Sequence, residues 1–98
     1  MAMKRYVIER EIPGIGASTE GQFCGIARAS NGVIAQLAPR LQWEHSYVTA
    51  DKLFCIYLAE DESDIRRHAE LGGFPANKIT EVVRVIDPLT ENATAKAA

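Results

Sequence analysis

No stretch of this sequence is long and apolar enough to serve as a leader or a membrane span; the opening MAMKRYVIERE already mixes charge among its apolar residues. A cytoplasmic protein is the expectation. Cysteine is scarce. Cys24 and Cys55 stand alone with no C-x-x-C, so both are expected as free thiols in a reducing compartment. Histidine is as scarce: His45 and His68 are 23 positions apart, with neither H-x-H nor H-x-x-x-H spacing, so the sequence itself carries no metal motif. A basic stripe is missing too. The 11 basic and 13 acidic residues are interspersed with a net charge of −2, which argues against nucleic acid as a partner. The pair Arg66-Arg67, beside Glu62, Asp64 and Glu70, reads as a solvated helix face. Pro13-Gly14-Ile15-Gly16 lacks both G-x-G-x-x-G and the Walker lysine, and is a turn. No Ser-His-Asp, paired-carboxylate or Cys-His arrangement can be located from spacing.

What is present is one domain's worth of core, since 98 residues with 47% apolar content cannot build a second. Residues 4–11 alternate, with Tyr6 and Ile8 on one face and Arg5, Val7 and Glu9 on the other, which predicts a strand. After the Pro-Gly break, Ser18 or Thr19 can cap the next helix, with Thr19 and Gln22 at capping-box spacing. Phe23, Ile26, Ala27, Ser30, Val33, Ile34 and Leu37 then recur at threes and fours up to Pro39, a helical stripe. Cys24 is expected to pack. Residues 41–50 and 53–59, rich in aromatic and β-branched types, predict a hairpin across Asp51-Lys52. Asp61 caps a second helix with Asp64 at its third position, Ile65, Ala69 and Gly72 mark its buried stripe, and Gly72-Gly73 then Pro75 end it. Residues 80–87 predict a last strand, and residues 89–98 a small polar tail without structure, leaving 1–88 as the domain.

The order is β-α-β-β-α-β, a ferredoxin-like α+β fold: a four-stranded antiparallel sheet with two helices on one face. Two such helices leave the other face open. With Tyr6, Ile8, Phe54, Ile56 and Leu58 turned to the helices, the open face is expected to carry Val7, Glu9, Cys55 and Tyr57. Trp43, His45 and Tyr47 join them if the hairpin loop has three residues, as do Val82, Arg84 and Ile86. That mixture is too aromatic for bare solvent, so a homodimer through this face, enclosing a partly polar cavity, is expected.

Glu9-Arg10 before a Pro-Gly loop, Trp43 followed by His45-Ser46-Tyr47-Val48, Asp51-Lys52 with Phe54-Cys55-Ile56-Tyr57, and His68 leading to Gly73-Phe74-Pro75-Ala76-Asn77 resemble a family of small bacterial proteins described as nickel-binding. The similarity runs from about residue 5 to 88. It implies a ferredoxin-like fold paired as a dimeric α+β barrel, and binding of nickel or another divalent transition metal.

His45 is the leading candidate ligand, because imidazole is the usual donor for nickel, copper or zinc; the plain alternative is a hydrogen-bonded interface histidine. Alternation along the strand separates it from Glu44 and Ser46. Glu9, Glu44, Cys55 and His68 are the further candidates. Cys55 between Phe54 and Ile56 reads equally as packing, and His68 as a half-buried helix residue with its nitrogens bonded. Glu9 and Arg84 are expected on adjacent strands as a cross-strand ion pair, or as a ligand and an anion anchor. Tyr47 and Tyr57 could place hydroxyls in the cavity. The competing function is a cofactor-free isomerase or lyase acting on a small molecule in the barrel, with His45 as base and Arg84 or the tyrosines holding an anionic substrate.

Overall fold

The computed structural model describes residues 2–96; Ala97 and Ala98, the end of the tail expected to lack structure, lie outside the described residues, as does Met1. The elements are β1 (Lys4–Glu11), α1 (Glu20–Leu37), β2 (Leu41–Val48), β3 (Lys52–Ala59), α2 (Glu62–Gly72) and β4 (Lys78–Val82). The strands form one antiparallel sheet in the order β2-β3-β1-β4. Both helices lie on one face, so the predicted α+β, ferredoxin-like β-α-β-β-α-β architecture is the observed one.

Local chemistry accounts for the element ends. The Thr19 side chain accepts from Gln22 N–H while Gln22 Oε1 accepts from Thr19 N–H, and Asp61 and Asp64 repeat the exchange at the start of α2. Each box satisfies donors that an α-helix leaves orphaned at its first turn. At the other end of α2, Gly73 takes φ 70°, a left-handed value that closes the helix and costs glycine little. Arg40, just before β2, ties the start of α2 to the sheet by a two-point ion pair with Asp64, Nε–Oδ1 at 2.8 Å and Nη2–Oδ2 at 3.2 Å.

The core lies between the sheet and the helices. Ile8, Leu41 and Ile65 are fully buried, each worth roughly 1.5–3 kcal/mol by removal from water. Tyr6, Leu53, Cys55, Tyr57 and Ala59 complete it, with Phe23, Ile26, Ile34 and Leu37 of α1 half-buried above them.

Four expectations are corrected. In β3 it is Leu53, Cys55, Tyr57 and Ala59 that face the helices, and Phe54, Ile56 and Leu58 the open side. Both sets are apolar, so alternation could not choose between them. In β2 the hairpin loop does have three residues, but a bulge between Trp43 and His45 breaks the alternation. Trp43 pairs with Tyr57 on the helix side, while His45 opposite Ile56 and Tyr47 opposite Phe54 stay on the open side. The last strand stops at Val82, and Val83 to Asp87 leave the sheet. Cys24 is exposed on α1, within 3.5 Å of Arg28, rather than packed. Beyond Asp87 the chain winds into a 3-10 helix, Pro88–Lys96, with Leu89 exposed.

Candidate functional site

The bulge in β2 has a chemical consequence. It turns Glu44 and His45, neighbours in sequence, onto the same open face, where a regular strand would have parted them. Arg5 on β1 reaches over the intervening β3 and grips Glu44 at two points, Nε–Oε1 at 2.6 Å and Nη2–Oε2 at 3.2 Å. That hydrogen-bonded guanidinium holds the Glu44 carboxyl below the usual carboxylate range. His45 Nε2 lies 3.1 Å from Tyr47 Oη, which leaves Nδ1 for another partner. Around this cluster Val7, Ile56, Val82, Arg84, Val85 and Ile86 line a shallow groove. Tyr47 is 59% and Ile86 71% exposed, large apolar surface to leave in water.

The five residues expected to bind metal divide between the two sides of the sheet. His45 and Glu44 adjoin on the open face. Glu9 shares that face but pairs with Lys52 at 3.8 Å, and in the ladder it opposes Lys78. Arg84 lies past the end of β4, so the expected Glu9–Arg84 cross-strand pair is absent: antiparallel register sets the two at opposite ends of β1. Cys55 and His68 are under the helices. Among the described residues no group of three or more His, Cys, Asp or Glu side chains is placed to hold a metal ion.

His68 is fully buried, more so than its reading from sequence. Its Nε2 lies 3.1 Å from Ser30 Oγ, which also lies 3.1 Å from Tyr57 Oη, and its ring stacks on Phe74 at 5.4 Å. Burial, reinforced by the positive charge of Arg10, lowers the His68 pKa to about 4, so the ring is neutral at ordinary pH. Arg10 is the residue that the sequence reading passed over. It follows Tyr6 and Ile8 on the same strand face at period two, and that alternation is the signal that places it inward.

No helix among the described residues is long and apolar enough to cross a membrane. The fold and the open face together define a small ferredoxin-like α+β protein with one exposed sheet surface. The family model described as nickel responsive protein SCO4226-like matches residues 6–82, and this chain belongs to that family. No curated protein matches it in sequence. The crystal structure of SCO4226 from Streptomyces coelicolor A3(2) is similar in fold, with a TM-score of 0.71 at 18% identity over 84% of this chain and 99% of that one.

Proposed function

We propose that the protein is a homodimer that binds nickel or another divalent transition metal on its open sheet face, with His45 as the principal ligand. Membership of a nickel-responsive family supports the metal. The observation that carries the residue assignment is the β2 bulge, which sets an imidazole and a carboxylate side by side at the rim of an exposed apolar groove.

One chain offers too few donors. Among the described residues only His45 and Glu44 of the candidates adjoin, and both Glu44 oxygens already accept from Arg5, leaving lone pairs rather than a free carboxylate. A second copy docked through the same face would double the set, and N/O donors of this kind suit nickel. It would also cover Tyr47 and Ile86. Glu9, held by Lys52, stands as a reserve donor, whereas Cys55 and His68 are separated from His45 by the sheet and serve packing. A cofactor-free isomerase or lyase has no comparable observation behind it.

Elemental analysis of protein purified without an affinity tag tests the reading. Nickel or a related transition metal in stoichiometric amount is expected; protein from nickel-supplemented culture that carries none would contradict it.

A further inference from the structure

The opposite side of the sheet holds a half-open pocket that the metal reading does not use. A cavity of about 240 Å³ lies between the first half of α1 and the sheet, walled by Phe23, Ile26, Trp43, Leu53 and Phe74. Its polar wall is formed by Arg10, Ser30 and Tyr57, with Ser46 already accepting from Trp43 Nε1 at 3.0 Å. No acidic side chain lines it.

Arg10 is the anomaly. It is only 2% exposed, yet among the described residues it has no carboxylate partner. Nη1 donates to the Pro75 carbonyl at 2.6 Å, and the guanidinium lies 5.9 Å from the Tyr57 ring centroid and 5.5 Å from that of Phe74. Nη2 is buried without a hydrogen-bond partner. Guanidinium groups stay charged, and buried charges are normally paired because the apolar interior solvates them poorly. A cation with a spare donor, at an apolar cavity free of acids, fits an anion and repels a metal ion.

We propose that this cavity binds a small monocarboxylic acid with an apolar body, its carboxylate paired with Arg10 and its body lying among Phe23, Ile26 and Trp43. Arginine's fork favours carboxylate geometry. Ser30 and Tyr57 Oη, bonded to one another, stand on the same polar wall; Ser30 is also bonded to His68 Nε2, so these hydroxyls leave at most one proton for a ligand and Arg10 is the main donor. The volume suits a single ring: a cavity of about 150 Å³ takes benzene, and the remainder accommodates a carboxylate. Phe23 and Val48 also border a surface depression beside Gly14 and Gly16, which Glu20 and Asp51 line as well. The site is independent of the metal reading, since it lies across the sheet from His45.

Trp43 is the single tryptophan of the chain and lines the cavity, so its fluorescence reports occupancy directly. Titration of the full chain with benzoate, in the presence or absence of nickel, should give a saturable change at millimolar concentration or below. Benzamide, which has the ring without the charge, and acetate, which has the charge without the ring, should each bind about tenfold more weakly or worse. Arg10→Met, if circular dichroism shows it folded, should lose benzoate binding by a similar factor; if it does not fold, the comparison of benzoate with benzamide on the wild type decides alone. Absence of a saturable response to benzoate, equal binding of benzamide, or unchanged binding by folded Arg10→Met would overturn the proposal.

Discussion

Ser30 on α1 and His68 on α2 meet at 3.1 Å, Oγ to Nε2, in a buried polar contact that joins the two helices beneath their apolar stripes. Tyr57 Oη approaches the same Ser30 oxygen from β3. The hydroxyl can thus link three elements at once, and the neutral state of His68 is part of that arrangement.

Stability should therefore depend on pH through His68. Its pKa is about 4 in the fold against an ordinary 6.5, so the unfolded chain binds the extra proton first as the pH drops. The contribution is complete above about pH 6.5, is lost progressively from there down to about pH 4, and levels below. Urea unfolding at about pH 7 and about pH 5 should show a loss on the order of 2 kcal/mol that His68→Leu lacks. Equal losses in both proteins would place the pH sensitivity elsewhere.

Gly72 makes room for Phe74. A Cβ at position 72 would stand 2.3 Å from Phe74 Cε2 and 2.5 Å from Cδ2, so the ring would have to leave its stack on His68. Gly72→Ala should destabilise the fold by about 1–3 kcal/mol despite alanine's better helix propensity. Thermal melting is the check, and an unchanged or raised midpoint would show that the ring moves freely.

The element order and the helix ends are legible in sequence because capping boxes, the Gly-Gly stop and the α1 stripe are local signals, whereas the bounds of β4 are not. The sheet faces were legible only where one face is polar. Tyr6 and Ile8 in β1 were assigned correctly, whereas β3 is apolar on both sides, and only its pairing with β1 sets Tyr57 opposite Tyr6. The bulge at Glu44 is likewise a product of pairing, invisible in a strand read alone. Hence alternation alone places Trp43 on the open face and parts Glu44 from His45, the reverse of what the bulge produces. Arg10 could have been found, since a charge at the next inward position after Tyr6 and Ile8 stands out against its strand.

Self-association should follow from the open face. Light scattering at micromolar concentration should give about twice the 10.8 kDa chain mass. Tyr47→Asp, a change at an exposed position, should shift it to the mass of one chain without unfolding it. A wild-type monomer would remove the shared site.

The central claim, a transition metal held by His45, is tested most directly by calorimetric titration with nickel of the wild type, His45→Ala and His68→Ala. Because only a neutral imidazole donates to a metal, wild-type affinity should weaken between about pH 7.5 and about pH 5.5. His45→Ala should lose most of the binding at the higher pH, while His68→Ala, altered under the helices on the other side of the sheet, should keep it. Nickel binding by folded His45→Ala equal to that of the wild type would contradict the account.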